Sequence, residues 1–595
     1  MSLRALRACF AALVVASVAP ALAADDSQPA QAAPETAPGL SYRVEIEAPE
    51  PLKRVLGKSL DIVRWEGYAN MTPLLLGRLA AEARAQAEQA ANTEGYFSAV
   101  ATSAVEQSGD SAVVRIRVDP GPPTIVRSVD IRITGVIEGD PDFKARLTRI
   151  AENWSLREGE RFRQSEWDTA KRRAVAELAE KRFAAASIAK SEARIDPETR
   201  SAALFVELAS GPPFRYGQIE TRGFSRYSAD IAQKVSPIKP GEPYDDDRLA
   251  LYQRRLLDTG YFATVQVGID PDVAQADAAP VRVTVVEARP RRVEAGVGYS
   301  TDTGYRATAD YADYDFLGTS WRWRNELRFE QKIQSVATTF DSPPLESGAW
   351  NSISAKALRE DIQNQIVKQA AVGVSHNWGW ERQWPSYLSL SYHREDSEVE
   401  DVTTRTRALF LGYRLIHRST DNFLNPRRGF LATLELGGAP PAVSTQGFVR
   451  GRARVTGLVP LARDDDLTLR AELGVVVASS SEGVPPTFLF RTGGDSTVRG
   501  YAFESLGVQD GNAVVGGRYL AVASIEYTHW FAESWGLAAF VDAGNAADTF
   551  SGLKPAFGAG VGARLRTPIG PLRFDVAYGE ETNSVRIHFS FGYTF

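Results

Sequence analysis

The sequence predicts a run of α+β repeats followed by an all-β transmembrane barrel of about 16 antiparallel strands. Three observations predict it. The first half repeats itself, and its helical segments carry apolar residues at 3/4 spacing. The second half abandons that period for strict two-residue alternation. Beyond the N-terminal segment, no apolar run approaches the ~18 residues that a membrane helix needs.

The chain opens with a charged stretch, Met1 to Arg7, and an apolar run, "ACFAALVVASVAPALA", that closes on Ala21-Leu22-Ala23. This pattern predicts a signal peptide over residues 1–23, cleaved after Ala23, and so an exported protein. The only cysteine, Cys9, falls within it, so the mature chain carries no thiol, no disulfide and no cysteine nucleophile. Residues 24–39 are rich in Ala and Pro and read as a disordered lead-in. A net charge of −6 on 595 residues gives no case for nucleic acid.

Between residues 40 and 288 the chain reads as three small units, 40–120, 121–211 and 212–288. "GERFRQSEWDTAKRRAVAELAEKRF" (159–183) aligns with "GEPYDDDRLALYQRRLLDTGYF" (241–262), with Phe162 and Tyr244 the same distance before an Arg-Arg pair. Trp167, Ala170, Ala174 and Leu178 mark the apolar face of one helix; Leu249, Tyr252 and Leu256 mark that of the other. "EGYFSAVAT" (94–102) echoes "TGYFATVQV" (259–267) and adds a weaker first copy. Each unit has the helices to cover one face of a short sheet.

Residues 289–595 read as the barrel. In "SVRIHFSFGYTF", Val585, Ile587, Phe589, Phe591, Tyr593 and Phe595 share one face, opposite Arg586, His588, Ser590, Gly592 and Thr594. "FGAGVGARLR" sets Phe557, Val561 and Leu565 against Gly558, Gly560, Gly562 and Arg564. These glycines nominally match a dinucleotide fingerprint, but they lie on one strand face with no helix after them. An apolar face opposite a polar one is the pattern of a barrel with lipid outside and a polar lumen.

Within this half, "GGDSTVRGYAF" (493–503) presents one cation, Arg499, on a glycine-rich loop. A phosphate site would want a Lys-[Ser/Thr] pair opening a helix, and none follows. In "AVASIEYTHW" and "LAAFVDAGN" alternation puts Glu526 and Asp542 on the polar side, opposite Ile525 and Val541. The histidines have no metal-ligand spacing, and no G-x-S-x-G elbow appears, so neither an enzyme nor a metal or other cofactor is expected.

The order of signal peptide, α+β units, barrel and "VRGY" loop resembles the Omp85 superfamily, whose periplasmic units are called POTRA domains. The residues that carry it are "RTGGDSTVRGY" (491–501), "DNFLNPRRGF" (421–430), "FVDAGN" (540–545) and the terminal Phe595. Three units and the first-strand segment "GVGYSTDTG" (296–304) are most like the TamA branch, outer-membrane subunits of translocation and assembly modules. The resemblance implies an outer-membrane location, unfolded outer-membrane proteins such as autotransporters as substrates, and a TamB-like partner anchored in the inner membrane that meets the POTRA units. It implies that Arg499, Gly500 and Tyr501 fold into the lumen and that Arg499 meets Glu526 and Asp542. A barrel that inserts other barrels needs a weak seam. Glycine-rich strands pair poorly, and Gly296, Gly298, Gly592 and Phe595 stand in the first and last strands, so a cysteine pair replacing Gly298 and a facing residue near Ser590 is expected to lock the seam and block activity. A two-partner-secretion-type transporter or a passive pore is the alternative.

Overall fold

A computed structural model describes residues 40–379, 384–422, 425–567 and 570–591. The segments read as signal peptide and lead-in, and the seam residues Gly592 and Phe595, lie outside the described residues. Residue contacts divide the chain into two units, residues 1–131, 154–172 and 190–206, and residues 132–153, 173–189 and 207–595.

The first of three small sheets has the order β1 (Ser41–Glu47), β3 (Ser111–Asp119), β2 (Val100–Ser108), with β1 parallel and β2 antiparallel to the central strand. Its helix Pro73–Thr93 starts where Thr72 accepts a hydrogen bond from the Leu75 N–H and a proline takes the first turn. The helix buries Ala80, Ala83, Ala87 and Ala91, small residues that let it lie close to the sheet. A second sheet is ordered β4 (Ile125–Thr134), β6 (Ser201–Ala209), β5 (Ser187–Asp196). The third is ordered β7 (Tyr216–Arg222), β9 (Ala279–Glu287), β8 (Phe262–Ile269). Its helix Asp246–Asp258 is capped by Asp245, which accepts from the Asp247 N–H, and buries the predicted face, Leu249, Tyr252 and Leu256. Central placement of the last strand needs a parallel pairing across some sixty residues, which no local pattern encodes.

Sixteen further strands among the described residues close into one antiparallel barrel. They run β10 (Arg291–Ser300), β11 (Gly304–Phe316), β12 (Trp321–Glu330), β13 (Ile333–Asp341), β14 (Trp350–Ile362), β15 (Gln365–Trp378), β16 (Ser386–Val399), β17 (Val402–Thr420), β18 (Gly429–Ala439), β19 (Phe448–Pro460) and β20 (Asp465–Val477). A loop with its own hairpin, β21 (Val508–Asp510) and β22 (Ala513–Val515), leads to β23 (Tyr519–Trp530), β24 (Trp535–Ala547), β25 (Ala556–Thr567), β26 (Gly570–Gly579) and β27 (Ser584–Phe591). No described helix is long and apolar enough to cross a membrane; the strands supply the apolar surface. In β24, Leu537 and Val541 are exposed on the outer face while Ala538, Phe540 and Asp542 are buried on the inner one. Val561, Val585 and Ile587 also face outward, as their two-residue period predicts.

The third sheet's unit fastens to one end of the barrel. Tyr261 Oη donates to the Ser320 carbonyl (2.7 Å), and Arg322 Nη1 donates to the Thr259 carbonyl (3.2 Å). Strand order then puts the turns at 301–303, 363–364 and 400–401, with the long segment 478–518, at the far end.

Candidate functional site

The 493–503 loop lies against the inner wall, with Arg499 and Tyr501 each only 1% exposed. Arg499 Nε donates to Asp542 Oδ2 (2.7 Å) and Nη2 to Asp542 Oδ1 (2.9 Å), a two-pronged contact that the guanidinium plane suits. Nη1 donates to Glu526 Oε2 (2.6 Å) and to Asp575 Oδ2 (3.2 Å). The guanidinium carbon lies 3.3 Å from the centre of the Phe540 ring. The acids need more than one cation. Arg564 supplies it, donating to Glu526 from Nε (2.9 Å) and to Asp575 from Nη1 (2.5 Å). Arg470 adds a third cation, 3.8 Å from Asp542 and bonded to the Ser496 carbonyl of the loop.

Glycines let the loop come this close. A Cβ on Gly558 would stand 1.9 Å from the Arg499 carbonyl oxygen, and one on Gly562 would stand 1.7 Å from Asp575 Oδ1. Of the β25 glycines that imitate a nucleotide motif in the sequence, Gly558 lies directly under the loop, while Gly562 makes room for Asp575 beside it. Gly500 itself has φ +94° and sits against the Tyr578–Gly579 backbone, a place for glycine alone. Tyr501 Oη donates to the Phe557 carbonyl (3.0 Å) and accepts from the Glu581 N–H (3.0 Å).

The loop is also held on the opposite wall. Gln369 donates to Glu395 (2.6 Å) and to Thr487 Oγ1 (2.9 Å), and the Thr487 N–H donates to Glu395 Oε2 (3.1 Å). Gln363 Nε2 donates to the Phe503 carbonyl (2.8 Å). The segment therefore crosses the lumen with contacts at both ends.

The seam lies beside it. β10 pairs with β11 along its whole length, from Arg291↔Asp313 to Ser300↔Gly304, and β27 with β26 from Leu572↔Phe591 to Gly579↔Ser584. Between each other, among the described residues, they share the single pair Ser300↔Ser590. Gly296 stands opposite Thr308 and Gly298 opposite Arg306, on the paired side of β10. Ser300, two residues beyond Gly298 at the far end of β10, is the partner of Ser590.

Alternation alone placed Glu526 and Asp542 on the inner wall, and the structure brings both to Arg499. It adds Asp575, Arg564, Arg470, Phe540, Glu395 and His588. Their signal was available in part: Arg564 and His588 sit on the polar faces of their strands, but nothing local says which strands the loop crosses.

The family profile described as the Omp85 superfamily domain matches residues 289–595, and one described as a surface antigen variable number repeat, POTRA, matches residues 214–288. The outer membrane protein assembly factor BamA of Nitratidesulfovibrio vulgaris is 25% identical over 410 residues, which cover 64% of this chain and 51% of that protein. The chain thus spans about half the length of that relative. Among solved structures, Haemophilus ducreyi BamA lacking POTRA domains 1–3 is similar with a TM-score of 0.61 at 15% identity, covering 79% of this chain and all of that one. CdiB from Acinetobacter baumannii gives a TM-score of 0.44 at 15% identity, over 79% of this chain and 90% of that one.

Proposed function

The chain belongs to the Omp85 superfamily, placed in the outer membrane with its POTRA units in the periplasm, and from that premise we propose that it assembles outer-membrane proteins by opening its barrel sideways. The observation that carries this reading is the seam itself, where among the described residues β10 and β27 share the pair Ser300↔Ser590 while β10–β11 and β26–β27 pair along their length. A strand edge with free N–H and C=O groups is a template for an incoming strand, and inside a membrane such an edge has no water to satisfy it. Substrate strands would satisfy it by β-augmentation. Nothing covalent needs to happen; the work proposed is pairing exchange rather than enzyme catalysis, with no cofactor.

The lumen loop supports the sideways route over an axial one. Arg499 on one wall and Thr487 on the other hold it across the channel. A finer proposal follows the likeness of residues 296–304 to the TamA branch. In it the substrates are unfolded barrel proteins of autotransporter type, and a TamB-like inner-membrane-anchored partner docks on the POTRA sheets.

Liposomes carrying the purified protein, given an unfolded β-barrel polypeptide, test the assembly reading. The polypeptide is expected to become heat-modifiable and protease-resistant faster than in protein-free liposomes. Equal rates would contradict it. Delivery of unfolded polypeptide into the liposome lumen would favour a two-partner-secretion-type transporter.

A further inference from the structure

Alternation gives β14–β17 an outer face that changes character abruptly at its far end. Descending from there, the rows of paired residues facing lipid include Ile353↔Val374, Val374↔Leu390 and Leu390↔Leu411, all well exposed and apolar. The outward residues of β15 from Trp378 to Ala370, apolar except for His376, cover eight steps, or roughly 21 Å at a rise of ~3.4 Å and a tilt of ~40°, close to the ~25 Å band of an outer-membrane barrel. The next two outward rows are basic.

In one row, Arg359 faces Lys368, Lys368 faces Asp396, and Asp396 faces Arg405. In the other, Arg394 faces Arg407 directly. Like charges directly opposite on adjacent strands repel. Arg359 is paired with Asp361 (3.0 Å) and Arg405 with Asp396 (3.8 Å). Among the described residues no ion pair engages Lys368, Arg394 or Arg407, and all three are exposed. A fold that aligns five cations against two carboxylates, Asp361 and Asp396, at the rim of an apolar surface needs anions from elsewhere.

Directly below this rim, on β16–β18, lies an open apolar groove of about 480 Å³, lined by Leu388, Leu390, Leu409, Leu411, Leu436 and Gly438. Gly438 lacks the side chain that would fill the outer face between Leu436 and Pro440. Charge at the head and an apolar trough beneath it are the two halves of a lipid. We propose that this face binds a phosphorylated lipid of the outer leaflet, its phosphates between Arg394, Arg407 and Lys368 and an acyl chain in the Leu390–Leu411 groove. Arginine forks suit phosphate oxygens, and a phosphate between Arg394 and Arg407 turns their repulsion into attraction.

The site is distant from the seam, so binding there would anchor one wall while the opposite wall opens. The test uses the full-length protein in detergent, with bisphosphorylated diglucosamine lipid as probe and native mass spectrometry as readout. The double variant Arg394→Ser/Arg407→Ser is expected to bind it about 25-fold more weakly, each cation near an anionic lipid surface contributing about a factor of five. The fully dephosphorylated lipid is expected to bind wild type no better than the variant. Heat-modifiable mobility checks the fold, and Arg394→Gln alone serves if the double variant fails to fold. Equal affinity of wild type and variant would overturn the proposal. So would equal binding of the dephosphorylated lipid. Full displacement of the lipid by millimolar inorganic phosphate would reduce the site to a free-anion patch and overturn it as well.

Discussion

Asp302, in the first hairpin turn of the barrel, and His588, in its last strand, face each other across the seam with His588 Nδ1 3.8 Å from Asp302 Oδ1. The same lumen loop holds both. The Asp495 N–H donates to Asp302 Oδ2 (2.9 Å), and the Gly500 N–H donates to His588 Nε2 (2.9 Å). At this end the loop joins the two sides alongside the Ser300↔Ser590 pair and the hydrogen bonds between Thr301 and Phe589. Asp302→Ala removes one anchor and His588→Ala the other. Each is expected to raise the protease sensitivity of the 493–503 loop and the fraction of open seam, read as faster cross-linking of an edge cysteine by a lipid-phase reagent. The double variant should add little to either single one, since a loop freed from one side no longer bridges.

Arg499 tests the loop from its other contact. Arg499→Ala leaves Asp542, Glu526 and Asp575 buried with one cation fewer, and removing one member of such a network costs about 3–5 kcal/mol. Arg499→Lys keeps the charge and loses the fork onto Asp542. The expected order of loop protection and of assembly rate is wild type, then lysine, then alanine. Asp542→Ala should resemble Arg499→Ala, because Arg499 spends both its Nε and Nη2 contacts there. Unchanged urea midpoints for loss of heat-modifiability in all three would remove the structural role.

Glu287, at the end of the third sheet, provides a pH prediction outside the membrane. Burial raises its pKa, but hydrogen bonds from the N–H groups of Ser225, Tyr227 and Arg226 and from the Ser225 hydroxyl outweigh it and hold the carboxyl below its ordinary value. A depressed carboxylate stabilises the fold above its unfolded pKa, about 4.3, and the contribution disappears as pH falls through the folded value. Amide protection at Ser225–Tyr227, the exchange rate relative to the intrinsic rate at each pH, should therefore be high at neutral pH and fall as acid protonates Glu287. In Glu287→Gln the exchange should be faster at neutral pH and lose this pH dependence.

Particular residues show how much of this was legible in sequence. Two-residue alternation sorted Ile525 from Glu526, Val541 from Asp542 and Leu565 from Arg564 correctly, because lipid on one side and a polar lumen on the other admit no compromise. That Arg499 also reaches Asp575, 76 positions away in sequence, depends on strand register around a closed barrel, which alternation does not encode. The Gly558–Gly562 face was visible, but its purpose was not, since a glycine's neighbour here is another segment's backbone. The seam glycines Gly296 and Gly298 were legible as edge residues; that Ser300 meets Ser590 follows from where β10 and β27 cross, a property of barrel geometry.

The central claim is that the barrel works through its seam. The pair Ser300↔Ser590 names the residues for the decisive measurement. Ser300→Cys/Ser590→Cys, in a chain whose only native cysteine, Cys9, is replaced by serine, joins β10 to β27 under oxidation. Assembly of a β-barrel substrate in liposomes is then followed with the cross-link confirmed by electrophoresis, before and after reductant. Assembly is expected to fall to the protein-free rate when oxidised and to return on reduction. Undiminished assembly with the seam fully cross-linked would contradict it.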